Sequence, residues 1–324
     1  MLKPIADQNP AGCIRPQFKG RERLWHYGKN VLKRLRSFQP FNRLVTSTLR
    51  AGLEITGSHS EFFIKHLPRT GGLRRRLPNG RSLRLWSRGD DWVSNQVYWR
   101  GWQGYEPETA PLFFRLATRA QVTLDIGAHV GYYALLAGHA NPAGRVYAFE
   151  PFPATYARLQ HNVALNRLSN VTCFASAVGE LDGAADFFHP GTLIPCSASL
   201  SFDIYRPWAD SVTKMTVPVI TLDRFVEEHQ LGHVDLVKLD VESAEPQVLR
   251  GATKVLQRDR PTIICEVLKG CGTEQALETA LRPYGYRFYL VTPDGPALRE
   301  RIEGHEVWLN YLFTTNRHEL VVCL

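Results

Sequence analysis

The stretch TLDIGAHVGYYALLAGH, residues 123 to 139, limits what this chain can fold into more than any other. A short apolar run closes on an acid and a glycine, a second glycine follows after three residues, and a second apolar run begins at once. That order reads as a strand, a tight turn and a helix. The pattern recurs downstream. GRVYAFEP (144–151) reads as a strand, FPATYARLQHNVALN (152–166) as a helix and NVTCFASAVG (170–179) as a third strand. VDLVKLDVE (234–242) is a fourth, the helix EPQVLRGATKVLQ follows, and RPTIICEV (260–267) is the next strand. Alternating apolar strands and helices predict a parallel sheet covered on both faces, and right-handed crossovers make it doubly wound. YRFYLVT and WLNYLFTT fit one or two final strands, read as an antiparallel edge hairpin.

Ahead of this α/β unit the composition shifts. Residues 1 to 100 hold 20 Lys and Arg against 6 Asp and Glu, a balance of +14, so the whole-chain +8 leaves −6 for residues 101 to 324. Pro4, Pro10, Gly12 and Pro16 mark a loose tail. Residues 23 to 67 space their apolar positions by three and four, which predicts two or three basic amphipathic helices. LRRRLPNGRSLRLWS (73–87) reads as two short strands around a PNG turn. The chain therefore divides into a basic, largely helical extension over 1–80 and the α/β domain over 81–324. Such a basic segment answers phosphates, an anionic membrane surface or an acidic substrate, or it is simply a solvated face docked on the rest of the chain.

Hydrophobic content of 44% and charged content of 22% are those of a globular protein. No apolar run reaches the roughly 20 residues of a membrane-spanning helix, and the amino terminus lacks the apolar core of a secretory signal. A cytoplasmic protein is expected. The six cysteines, at 13, 173, 196, 265, 271 and 323, form no CxxC pair, and the eleven His show no HExxH spacing. Buried free thiols are expected, with no structural zinc and no metal ligands.

In a doubly wound sheet a ligand sits beyond the carboxyl ends of the strands where chain order reverses, close to the first strand-to-helix turn. Gly127 and Gly131 let that turn bend and approach a ligand without a Cβ in the way. The dehydrogenase pattern GxGxxG is absent, and no GK[ST] follows as in a phosphate loop. Instead Glu150 closes the next strand, where a carboxylate can accept from both ribose hydroxyls. Asp125, at the mouth of the first strand, would face a cationic amino-acid group. Ribose joined to an ammonium-bearing tail describes S-adenosylmethionine better than NAD. The plainer alternative for both carboxylates is satisfaction by helix caps or water.

Several further segments carry a family pattern. GYEPETAPLFFRL (104–116), DIGAHVGYYALLA, VYAFEPFPATYARLQHNVALN, ASAVGELDG, ITLDRF, VDLVKLDVESAEPQVLRGA and RPTIICEV occur in order over about residues 100 to 270. Together they resemble the FkbM family of methyltransferases. The resemblance implies a Rossmann-like class I methyltransferase fold, α/β with a doubly wound, mostly parallel sheet, and S-adenosylmethionine as cofactor. It places Asp125, Gly127 and Gly131 in the first cofactor motif, Glu150 at the ribose, Ser176 and Ala177 beside adenine, and Tyr105 and Glu106 over the methionine end. Two positions depart from the commonest pattern. His129 stands in the middle of the glycine turn, where the family often has Asn or His. Ser243 replaces the glycine of DVEGAE, where it would tighten the loop or cap the next helix.

Methyl transfer to a hydroxyl needs an aligned acceptor and a base for the departing proton. KLDVESAE brings Lys238, Asp240, Glu242 and Glu245 to the end of the fourth strand. At a period of two, Lys238, Asp240 and Glu242 share one side of it. Asp240 is assigned to the cofactor and to catalysis, and Glu242 to the base or acceptor anchor. A Glu242–Lys238 pair is the structural alternative, and His129 and His189 are competing bases. The insertion over 188–219 reads as a lid, with Tyr205 and Trp208 to stack on a ring and Ser197, Ser199 and Ser201 to bind hydroxyls. The leading function is O-methylation of a small-molecule, glycan or lipid-linked acceptor. An RNA methyltransferase using the basic segment, or a non-catalytic scaffold, are the other readings. Peripheral membrane contact and oligomeric state stay open.

Overall fold

The computed structural model describes residues 38–56, 64, 66–190, 194, 199–201 and 212–316. In chain order the elements are α1 (Gln39–Thr56), β1 (Thr70–Arg76), β2 (Ser82–Arg88), α2 (Trp92–Arg100), α3 (Thr109–Ala117), β3 (Val122–Ile126), α4 (Tyr132–Ala140), β4 (Arg145–Phe149), α5 (Pro153–Asn166), β5 (Val171–Phe174), β6 (Ala177–Val178), β7 (Gly183–His189) and β8 (Thr213–Ile220). Then follow α6 (Leu222–Glu228), β9 (Leu236–Leu239), α7 (Glu245–Arg250), α8 (Thr253–Arg258), β10 (Thr262–Glu266), α9 (Glu274–Leu281), β11 (Arg287–Thr292), β12 (Gly295–Arg299) and β13 (Asn310–Thr314). The main sheet runs β12-β11-β13-β10-β9-β3-β4-β5. From β10 through β5 the neighbours are parallel, and chain order reverses between β3 and β9.

Alternation along each strand sorts side chains between two cores. Val122, Leu124 and Ile126 face the core shared with α6 to α9. Leu236 and Ile264 face the other core, shared with α2 to α5. Asp125 is paired in register with Lys238, so both side chains emerge on one face of the sheet at its carboxyl edge. Helix α4 is buried over Tyr132 to His139, which explains an apolar run with no polar face.

Three sequence expectations shift in the structure. The third strand divides: β5 stays in the main sheet, while β6 pairs with β8 in a separate sheet of order β6-β8-β7. The helix expected over 245–257 breaks into α7 and α8 where Gly251 packs on the carbonyl of Gly179, 2.1 Å from where a Cβ would stand. The last strands form no simple edge hairpin, because β13 runs antiparallel between β10 and β11 and leaves β12 at the edge.

The PNG turn does join two strands, and β1 and β2 pair antiparallel from Thr70↔Arg88 to Arg76↔Ser82. Residue 80, where the composition divides the chain, lies at this turn. The open edge of β2 is covered by helix α5, whose Asn162 and Asn166 side chains accept from the Trp86 and Arg84 N–H groups. Arg158 of α5 reaches Asp90 and Asp91, and Asp91 caps α2 through the Ser94 N–H at 2.6 Å. A strand edge that would otherwise offer unpaired donors is thereby closed. Part of the basic segment is spent the same way, since Arg75 donates to the Val97 carbonyl and Arg69 to the Arg43 carbonyl of α1. Residues 1–37 and most of 57–65 lie outside the described residues, as do Cys13, Cys196 and Cys323.

Candidate functional site

At the carboxyl edge of the sheet, across the β3/β9 reversal, lies an open cleft of about 1090 Å³ including its solvent-open part. Of the residues singled out from sequence, Tyr105, Asp125, Gly127, His129, Glu150, Ser176, Ala177, Asp240 and Glu242 line it. Gly131 and Glu106 stand just outside this lining, each held against residues within it.

The β3 side is built from backbone. Gly127 and Ala128 donate to the Phe149 carbonyl, and Asp240 donates its N–H to the Ile126 carbonyl. Gly127 (φ +83) and Gly131 (φ +92) are left-handed, and their bare Cα positions also serve packing. A Cβ on Gly127 would stand 1.7 Å from the Asp240 carbonyl oxygen, and one on Gly131 2.5 Å from Leu159 Cδ1. His129, at φ +50, donates its N–H to Glu150 Oε2 at 2.9 Å, and Phe152 donates to Glu150 Oε1 at 2.9 Å. Asp125 Oδ2 accepts from the Ala134 N–H at 2.7 Å, supplying the side-chain acceptor that Gly131 at the start of α4 lacks. Both acids thus have the cap-type partners that the plainer alternative anticipated. Capacity remains, because each carboxylate oxygen carries a second lone pair. Burial pushes both Asp125 and Glu150 up to about 7.

The β9 side is built from side chains. Lys238 is fully buried, with Nζ 2.8 Å from Asp240 Oδ2, 3.3 Å from Asn310 Oδ1 and 5.0 Å from the Tyr133 ring centre. Burial opposes its charge, yet Asp240, Glu106 and Glu266 hold its pKa above the ordinary lysine range. Among the described residues, Lys238 forms its ion pair with Asp240, not with Glu242. Strand β9 ends at Leu239, and the chain then turns through left-handed Glu242 (φ +55) and Ser243 (φ +75). Glu242 reaches the cleft by this turn and not by strand alternation.

Glu245 organises that turn, its Oε1 accepting from the Val241 and Ser243 N–H groups at 3.0 and 3.2 Å. Ser199 does the same from the insertion, donating toward the carbonyls of Val241 (2.9 Å) and Glu242 (2.7 Å). At 1% exposure its hydroxyl is engaged with the loop, not offered to a ligand. Ser243 caps no helix: Ala244 holds the cap position of α7, and the buried Ser243 hydroxyl has no hydrogen-bond partner. Leu200 and Phe187 of the insertion line the cleft, while Ser197, Tyr205 and Trp208 lie outside the described residues.

Sequence reasoning missed Glu266 and Asn310. Glu266 closes the wholly buried strand β10, the same sign that marked Glu150 and Asp240. Asn310 comes from β13, 72 residues beyond Lys238, and only the strand order brings them together. Glu106 (φ +46) accepts from the Tyr133 hydroxyl and lies beside Asp240 and Glu266. Burial first, then Asp240, push the carboxyls of Glu106 and Glu266 up.

A reversed-order parallel sheet with antiparallel β13 inserted, and an acid-lined cleft at its carboxyl edge, define a class I methyltransferase fold. The methyltransferase FkbM domain matches residues 125–288, and the chain belongs to that family. Its methyl donor is S-adenosylmethionine. Three relatives align with about half of the chain or somewhat less. Methyltransferase 1 of Beauveria bassiana is 28% identical over 53% of this chain and 74% of its own. Hexuronic acid methyltransferase AglP of Haloferax volcanii is 29% identical over 47% and 58%, and 2-O-methyltransferase NoeI of Sinorhizobium fredii 30% over 43% and 60%. The chain therefore spans less than two thirds of the latter two. Among the described residues, no helix is long and apolar enough to cross a membrane.

Proposed function

We propose that this chain transfers the methyl group of S-adenosylmethionine to a hydroxyl of a sugar, a glycan or a small natural product. The observation that carries the reading is the pairing of two kinds of acid across one cleft: Glu150 on one side, Asp240 and Glu242 on the other. The residues fit the cofactor. Glu150 is preset by two N–H donors with lone pairs left for ribose hydroxyls, and Ser176, Ala177, Tyr105, Asp125 and Asp240 line the same cleft. The name of one relative, for hexuronic acid, supports a carbohydrate acceptor, and that of another, for 2-O transfer, supports an oxygen acceptor.

When bound, the cofactor supplies a methyl group already activated by the sulfonium charge. The protein has to align an acceptor oxygen behind that carbon and receive the hydroxyl proton. Glu242 is the base or acceptor anchor, held at the cleft by the Ser199 and Glu245 bonds to its loop. Asp240 is positioned by Lys238 between acceptor and cofactor. Calorimetry with S-adenosylmethionine, S-adenosylhomocysteine and NAD should give heats for the first two alone. Methyl-labelled cofactor with fractionated lysate should then label carbohydrate or small metabolites. Tight NAD binding without the others would sink the cofactor arm, and label confined to RNA would sink the acceptor arm.

A further inference from the structure

Behind the cleft, three carboxylates from distant segments converge. Glu106 precedes α3, Asp240 follows β9 and Glu266 ends β10, and one oxygen of each lies within 4.8 Å of the others. Hard divalent cations bind oxygens at about 2.0–2.6 Å, so one ion spans oxygens up to about 4–5 Å apart. A convergence of acids alone would carry little, since protons or lysines can answer it. Glu266 adds an independent sign: it is 8% exposed, lines the cleft, and its Oε2 is buried with no hydrogen-bond partner. A buried carboxylate oxygen without a partner is costly unless a proton or something cationic meets it.

Among the described residues the nearby cation is Lys238. Its Nζ contacts Asp240 Oδ2 and Asn310 Oδ1, and its charge reaches Glu266 without a hydrogen bond. With Glu242 and Glu245 beside them, the carboxyl groups here outnumber that ammonium.

We infer that Glu106, Asp240 and Glu266 form a binding site for one hard divalent cation, of the magnesium or manganese class. The donor set is all carboxylate, without Cys or His, which favours those ions over zinc. Asp240 and Glu266 open on the cleft, so the ion borders the acceptor and favours loss of its hydroxyl proton. That role rests on the proposed methyl transfer: the acceptor O–H bond breaks with its proton passing to a carboxylate, the oxygen bonds to the methyl carbon, and the C–S electron pair returns to sulfur. The site itself does not depend on it.

The test uses Mn²⁺ as the probe, with chelator-treated full-length chain and the free Mn²⁺ signal read by electron paramagnetic resonance, with and without S-adenosylhomocysteine. One ion per chain is expected. Glu266→Gln should weaken it by ~10-fold or more, with S-adenosylhomocysteine affinity nearly unchanged by calorimetry. Glu306→Gln, in an exposed pair with Lys269, should leave Mn²⁺ binding unaltered. If Glu266→Gln does not fold, Glu106→Gln takes its place for the Mn²⁺ measurement alone, with near-ultraviolet circular dichroism to verify folding. A free Mn²⁺ signal undiminished by millimolar protein overturns the site, as does equal binding by the folded variant. Neither readout needs turnover, so failure of the site and failure of the methyl-transfer reading are told apart.

Discussion

The two sides of the cleft are held by different means. On the β3 side each acid is fixed by main-chain donors: Ala134 for Asp125, His129 and Phe152 for Glu150. On the β9 side, acids are fixed by side chains, Tyr133 on Glu106 and Lys238 on Asp240, and among the described residues Glu266 Oε2 has no hydrogen-bond partner. Backbone donors presort one side for a fixed ligand. Crowded, undercompensated carboxylates leave the other side dependent on what binds there. The two sides touch at Gly127, whose missing Cβ admits the Asp240 carbonyl. Cofactor binding and acceptor chemistry should therefore separate by side.

The sharpest break in that comparison comes from Glu242. Glu242→Gln keeps shape and removes charge, so turnover should fall roughly 10²- to 10⁴-fold while cofactor affinity holds. Asp240→Asn should damage both, because Asp240 meets Lys238, which is in register with Asp125, and both acids line the cleft. Binding by calorimetry and single-turnover rates on the same proteins separate the two effects. Wild-type turnover in Glu242→Gln would move the base to His129, His189 or the insertion.

Glu150 sharpens the other side. Glu150→Ala should cost about 2 to 4 kcal/mol of cofactor affinity, since charge-assisted bonds contribute about 1.5 to 3 each and overlap. Its pKa of about 7 stands above the ordinary 4.5, with burial as the main cause. The free folded chain therefore takes up a proton before the unfolded chain does. That contribution to stability is present below about 4.5 and is lost as pH rises through about 7. Glu150→Gln should flatten this part of the melting-temperature profile between pH 5 and 8. Ionised Glu150 is also the better ribose acceptor, so wild-type affinity should rise from pH 6 to 8 and that of Glu150→Gln should not. A variant with wild-type slope in both profiles would remove Glu150 from the ribose.

Legibility in the sequence followed the same division. The strand-turn-helix order and the acids at strand ends are local, so Asp125, Glu150 and Asp240 could be read from a few neighbouring residues. On the β9 side Lys238 lies beside Asp240 in sequence, but Asn310, Glu266 and Glu106 come from β13, β10 and the segment before α3, and no local window contains them. The glycines were legible, but the close packing that also excludes a Cβ was not, because those atoms belong to residues 159 and 240. Spacing rules for His and Cys were blind to an all-carboxylate group drawn from three segments. The α7/α8 break and the intercalated β13 were set by contacts with Gly179 and β10, which local periodicity does not record.

The smallest expected effect is at Ser243, where the two modes of construction meet in one loop. Its backbone is left-handed at φ +75, which costs an L-residue about 1–2 kcal/mol relative to glycine. Its hydroxyl is buried without a partner, and losing such a group relieves a desolvation cost of similar size. Glycine in the unfolded chain has more freedom to lose, which offsets about 0.5–1 kcal/mol. Ser243→Gly should therefore stabilise the chain by about 1 to 3 kcal/mol, read as a higher denaturant midpoint at constant slope. Ser243→Ala removes the hydroxyl but keeps the left-handed strain, so it should fall between wild type and Ser243→Gly. The Ser243 N–H bond to Glu245 is kept in both. If Ser243→Gly is instead destabilised, the hydroxyl has a partner in solution and the loop is held by the serine itself. A gain in stability with slower turnover would mean that the strained loop presents Glu242 at some conformational cost.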